Sequence, residues 1–224
     1  MIYKREEFDL VVFDWDGTLM DSVGNIARAL QAAFSEHGLP EPDYYAARHV
    51  IGLGMNDIFA SLAPGLSAVR IDDIIEKYKK HYAKALTMPV LYEGVSQWLL
   101  SFQQAGYQLA VATGKSRTGL NEVLQETALH SFFSITRTAD ETYSKPHPQM
   151  LNEILAVTGV DKQRTIVIGD TIYDLQMAAN AGCAGVAMSY GAHDVKTLQT
   201  AGPLHIFDDF HTLGSWLVPM QQEK

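Results

Sequence analysis

Two carboxylates two residues apart, Asp14 and Asp16, stand where the apolar run Leu10-Val11-Val12-Phe13 ends. Such a run reads as a buried strand, and residues two apart on a strand point the same way. A strand that persisted to its last residue would lay the two acids side by side. Like charges that close repel each other, and each resists loss of its water. The pair therefore calls for a cation, with further ligands for it elsewhere in the chain.

Other polar groups obey the same rule of placement. The run "QLAVAT" (108–113) ends on Thr113 and leads into Gly114 and Lys115, and "TIVIG" (165–169) leads into Asp170, with Asp174 four residues on. Lys145 lies in "SKPHP" (144–148), just ahead of a helical pattern. Ligands of an open parallel sheet bind outside the carboxyl ends of its strands. Acids, a hydroxyl, an amine and a glycine are thus expected at one sheet edge. Singly each has an ordinary explanation: a helix N-cap, a first-turn acid that favours the helix dipole, a turn, a surface lysine. It is their joint placement that points to a site.

The elements that must position them alternate. The apolar runs at 10–13, 108–113, 165–169 and 184–188 are separated by amphipathic segments at 22–38, 94–106 and 148–159. This predicts an α/β fold with a doubly wound parallel sheet. In the first helix Ser22 is the expected N-cap, with Gly38 and Pro40 as the stop. Residues 20–90 break the alternation and predict helices alone, over 22–37, 43–49, 55–62 and 72–86. The domain reading is a core of residues 1–19 and 91–224 with a helical insertion at 20–90.

Acids exceed bases, 26 against 17, for a net charge of −9. That argues against non-specific nucleic-acid binding, which runs on clustered Lys and Arg. A single cysteine, Cys183, excludes an internal disulfide framework and a cysteine zinc site. The first residues lack the apolar stretch of a signal peptide, no window approaches a membrane span, and a cytoplasmic protein is expected. The terminal "QQEK" is expected to fray.

The motifs DWDGT, TG, SKPHP and GDTIYD together resemble the haloacid-dehalogenase-type phosphohydrolases, over essentially the whole chain. The resemblance implies a Rossmann-like core, an inserted α-helical cap and Mg²⁺-dependent phosphoryl transfer. It implies that Asp14 is the nucleophile, and that Asp16 protonates the leaving alkoxide and then activates water. Asp14, the backbone carbonyl of Asp16 and Asp170 would hold Mg²⁺, with Asp174 holding a metal-bound water or orienting Lys145. Lys145 would neutralise Asp14 and the phosphoryl oxygens, which Thr113 and the Gly114 N–H would also bind. The dehalogenases of the family lack the second Asp, so its presence favours phosphoester chemistry.

The Gly52-Leu53-Gly54 turn comes after no strand, so it is not a dinucleotide fingerprint. It resembles the V-G-x-G stretch in the cap of phosphoglycolate phosphatases. The family's hexose-phosphate mutases carry a Lys and an Arg around this turn, where Ile51 and Met55 stand here. The expected activity is hydrolysis of a small, phosphoglycolate-like phosphomonoester by a monomer or homodimer. A β-phosphoglucomutase-type mutase is the nearest rival. A phospho-accepting receiver domain, a switch rather than an enzyme, also uses Asp, Thr, Lys and Mg²⁺. It is much shorter, however, and needs no helical insertion. Trp15 and Cys183 read as packing residues, Lys115 as solvated or reaching for phosphate, and Arg48 and His49 as surface or substrate groups.

Overall fold

The computed structural model describes residues 7–85 and 88–218. Six strands form one sheet: β1 Leu10–Phe13, β2 Gln108–Thr113, β3 Ile135–Thr138, β4 Thr165–Gly169, β5 Ala184–Met188 and β6 Ile206–Phe207. Their order is β3-β2-β1-β4-β5-β6, and every neighbouring pair is parallel. The chain winds from β1 out through β2 to β3, then returns to place β4 on the other side of β1. That reversal leaves a crevice at the carboxyl ends of β1 and β4.

Side chains of β1 alternate between two cores, as strand geometry requires. Val11 and Phe13 pack with Leu99 and Phe102 of α5 (Val95–Gln104) and with Phe210 and Leu213 of α10 (Phe210–Leu217). Leu10 and Val12 pack on the other face with Met150 and Ile154 of α7 (Gln149–Thr158) and Met177 of α8 (Ile172–Ala181). Helices α6 (Arg117–Glu126) and α9 (Val195–Gln199) complete the wrapping.

Between β1 and α5 run α1 (Val23–Glu36), α2 (Tyr44–His49), α3 (Met55–Leu62) and α4 (Ala68–Ala85). α1, α3 and α4 share a third core that includes Leu30, Phe34, Ile58, Phe59 and Ile74, with the rings of Phe34 and Phe59 stacked 5.6 Å apart. The expected all-helical run is therefore present. The last helix begins at Ala68 rather than at 72. Its expected end at 86 lies outside the described residues, as do residues 1–6 and the tail "QQEK". No helix among the described residues is long and apolar enough to cross a membrane.

Three sequence expectations are corrected. The apolar runs predict four strands, and the described residues form six. β3 reads "ITRT" with half its residues part-exposed, and β6 is two residues long, so neither shows a continuous apolar run. Ser22 makes no side-chain cap bond, because its hydroxyl is turned to Asp16 instead. And β1 stops at Phe13, so Asp14 and Asp16 do not share a strand face.

Phe102 is fully buried and meets the rings of Phe13 and Phe210 at 6.2 and 6.4 Å. Phe102→Ala should cost about 3–5 kcal/mol in urea unfolding. Leu100 on the same helix is 48% exposed, and Leu100→Ala should stay within about 0.5 kcal/mol. Equal losses from the two would refute the packing just described.

Candidate active site

Asp14 comes directly after β1, and its N–H donates to the Ile168 carbonyl of β4 at 2.9 Å. The residue is 1% exposed. Its Oδ1 accepts from Lys145 Nζ at 2.7 Å, while its buried Oδ2 has no hydrogen-bond partner among the described residues. Lys145 is equally buried and donates also to Asp174 Oδ1 at 2.6 Å. The other oxygen of Asp174 accepts from the Thr171 N–H and hydroxyl at 3.1 and 2.6 Å, closing a capping box at the start of α8. Asp174 thus contacts Lys145 and also stands beside Asp14 and Asp170.

Asp170, immediately after β4, is fully buried. Thr18 Oγ1 donates to its Oδ1 at 2.8 Å and the Ala192 N–H to its Oδ2 at 2.7 Å. Gly17 turns the chain between Asp16 and Thr18 at φ +84°. A Cβ there would lie 2.2 Å from the Asp170 carboxylate, so glycine alone permits the approach.

Asp16 stands apart from this group, in contrast to the side-by-side pair expected. It is held by a second ammonium. Lys115 Nζ lies 3.0 Å from each Asp16 oxygen, and Ser22 Oγ donates to Oδ1 at 2.6 Å. Lys115 is thus paired rather than freely solvated, and it borders the cavity described below. Its Nζ also sits 5.1 Å over the ring of Tyr82, which comes from α4. Sequence reasoning missed this pairing. No local signal could have found it, because β2 ends at Thr113 and the two residues are 99 positions apart.

Thr113 ends β2 and is buried. A Cβ on Gly114 would lie 2.6 and 2.7 Å from the carbonyls of Leu53 and Gly52. The helical insertion therefore comes too close to Gly114 for any side chain there. The Gly54 N–H donates to Ser144 Oγ at 2.8 Å, pinning the same turn to the loop that carries Lys145. Arg48 and His49 serve the junction as well and do not line the cavity. Arg48 donates to the Gly191 carbonyl at 2.6 Å, and His49 stacks on His193 at 4.4 Å. Trp15 is fully buried and edges Phe133, as its packing assignment requires, and Cys183 borders the core beneath α7 and α8.

The remaining space is a cavity of about 650 Å³, lined by Asp14, Asp16, Thr113, Gly114 and Lys115 on one side and by the insertion on the other. Electrostatics there are unbalanced. Burial pushes the Asp14 carboxyl up from its ordinary 3.8 to about 7; Lys145 opposes the rise and Asp174 adds to it. Burial, then Asp14 and Asp174, hold Asp170 well above the usual carboxylate range. Burial works against the Lys145 charge, but its two carboxylate partners outweigh that and the net shift is upward. Oxygens of Asp14, Asp170 and Asp174 lie within 4.8 Å of one another. With all three carboxylates ionised and one ammonium among them, the deficit would equal the charge of one divalent cation. The donors are all oxygen, and Asp14 Oδ2 is free to take it up. The site fits a hard divalent metal.

Residues 11–188 match the family model of haloacid dehalogenase-like hydrolases. The chain belongs to that family. The chain is 32% identical over 206 residues to Probable phosphatase IndB of Dickeya dadantii, covering 90% of each protein. It is 31% identical over 218 residues to a phosphoglycolate phosphatase of Aliivibrio fischeri, covering 93% of this chain and 96% of that one. A haloacid dehalogenase-like hydrolase of Streptococcus pneumoniae superposes with a TM-score of 0.79 at 25% identity, covering 93% and 98%. The family, the Rossmann-like fold and an enzyme of phosphatase type therefore stand as the motifs implied.

The raised carboxyl of Asp14 has a consequence for the metal-free protein. Between pH 4 and about 7 the folded chain keeps a proton that the unfolded chain has released. Stability should then fall as pH rises through that window, by up to ~1.4 kcal/mol per pH unit for one proton, and level off above it. Thermal melts in chelator should show a lower Tm at pH 8 than at pH 5. A divalent cation, or Asp14→Asn, should shrink the difference. A Tm that rises with pH would contradict the charge balance described.

Proposed function

We propose that the protein is a cytoplasmic Mg²⁺-dependent phosphatase that hydrolyses a small phosphomonoester through an aspartyl-phosphate on Asp14. The reading rests chiefly on the unpartnered, buried Oδ2 of Asp14 beside the Lys145 ammonium, at the floor of a cavity. The names of the relatives at about 30% identity bring 2-phosphoglycolate forward as the reference substrate.

Asp14, Asp170 and the backbone carbonyl of Asp16 would hold Mg²⁺, which supplies positive charge to the phosphoryl oxygens when bound. The chain's own groups do the rest. Asp14 attacks phosphorus and the P–O bond to the alcohol breaks. Asp16 enters the cycle protonated, gives that proton to the departing alkoxide, and regains one from the water that cleaves the acyl phosphate. Lys145, kept in place by Asp174, balances charge on Asp14 and the phosphoryl group. Thr113 and the Gly114 N–H bind the same oxygens. Lys115 and Ser22 fix the Asp16 carboxylate in its orientation. We read residues 1–19 and 91–224 as the catalytic core and 20–90 as a cap that shapes the leaving-group side.

Asp14→Asn should fold normally and lose turnover by more than about 10³-fold. Activity should vanish in EDTA and return with Mg²⁺, and Ca²⁺ should inhibit, since its looser coordination misplaces Asp14. Asp170→Ala should weaken apparent Mg²⁺ affinity strongly and Asp174→Ala mildly. Wild-type turnover in Asp14→Asn, or after exhaustive chelation, would sink the mechanism.

Hydrolase and mutase separate on the fate of phosphate. A mutase must hold a second phosphate in the cap, and residues 50–58 contain no Lys or Arg. Free phosphate should appear from 2-phosphoglycolate without a bisphosphate activator. NMR of β-glucose 1-phosphate, with and without glucose 1,6-bisphosphate, supplies the contrary outcome: clean conversion to glucose 6-phosphate would favour the mutase.

A further inference from the structure

The cavity holds more than a phosphoryl group. Its volume of about 650 Å³ lies well inside the range of pockets that enclose ligands far larger than glycolate, roughly 300–1,000 Å³. Opposite Asp14, the wall is made by Ile51, Leu53, Met55, Ile58, Tyr78 and Tyr82. Four of these contribute no hydrogen-bonding side-chain group beyond a thioether, and none carries charge.

The charged residues lining the cavity do not favour an anion. Lys115 is engaged by both oxygens of Asp16 at 3.0 Å. A substrate carboxylate that recruited it would have to take it from Asp16. Lys79 sits at the mouth, its side chain 58% exposed and paired with Glu76 at 2.7 Å. Glu122 and Glu126 of α6 face the same space. An anionic tail would thus meet an apolar wall and an acidic rim, and it would lose its water without gaining a partner.

Resting on the phosphatase reading above, we propose that the alcohol part of the preferred substrate is apolar and carries no anionic group. The phosphoryl end is fixed by the Asp14 floor, and the cap wall takes up the body of the alcohol. The two apolar surfaces exclude water from each other, which strengthens binding in proportion to the area covered.

The test compares kcat/KM of the purified full chain with Mg²⁺ for 2-phenylethyl phosphate and for 2-phosphoglycolate. Both release primary alcohols, so the ratio reports chiefly how the alcohol part is held. The aryl-alkyl ester should be preferred by at least about tenfold. Met55→Lys, which puts a cation into the wall at a partly exposed position, should lower that ratio by about tenfold or reverse it. Preference of the wild-type enzyme for 2-phosphoglycolate, or an unchanged ratio in Met55→Lys, would overturn the assignment while leaving the phosphatase reading intact. Hydrolysis of neither ester would overturn both.

Discussion

Everything at the carboxyl edge of the sheet depends on one buried ammonium. Lys145 donates to Asp14 and Asp174 at 2.7 and 2.6 Å with its side chain wholly shielded from water. Without it, three buried carboxylates would face one another in a low-dielectric crevice. Removing one partner of a buried ion pair typically costs ~3–5 kcal/mol, because the remaining charge is left uncompensated. The surrounding bonds share the load. Thr18 and Ala192 hold Asp170, and Thr171 holds the far oxygen of Asp174. The group left over is the buried Oδ2 of Asp14, which has no hydrogen-bond partner among the described residues.

The topology explains how such a group can be assembled at all. Asp14, Thr113 and Asp170 sit at or just past the ends of three different parallel strands, and the strands on either side of β1 connect in opposite directions. The crevice at that reversal brings residues 14, 113, 145 and 170 together, although they are far apart in sequence. The β1 strand is packed on both faces, by Phe102 and Phe210 on one and by Met150 and Met177 on the other. A rigid floor of this kind keeps the carboxylates from relaxing away from each other.

The helical insertion completes the site from the opposite side. Its Gly52–Gly54 turn meets Gly114 so closely that no side chain would fit there, and Ser144 fastens it to the Lys145 loop. Tyr82 reaches Lys115, which in turn holds Asp16. The paired acids of the first motif are therefore divided in service. Asp14 belongs to the buried charge cluster, and Asp16 belongs to the interface between sheet and insertion.

The sequence by itself determined the parallel sheet, the helices between β1 and α5 and the set of residues at one edge. Those features are written in local periodicity and in the polar residues that stand just past each apolar run. The edge strand β3 and the two-residue β6 were not legible, because a half-exposed or very short strand leaves no continuous apolar signature. Ser22 resembles a cap because its position fits one; only the folded chain shows its hydroxyl turned to Asp16. The pairing of Lys115 with Asp16, the bond from Ala192 to Asp170 and the contact of Gly114 with Gly52 were likewise decided by tertiary structure. Each joins residues distant in the chain, and the geometry that brings them within about 3 Å is set by how the layers pack rather than by any local preference.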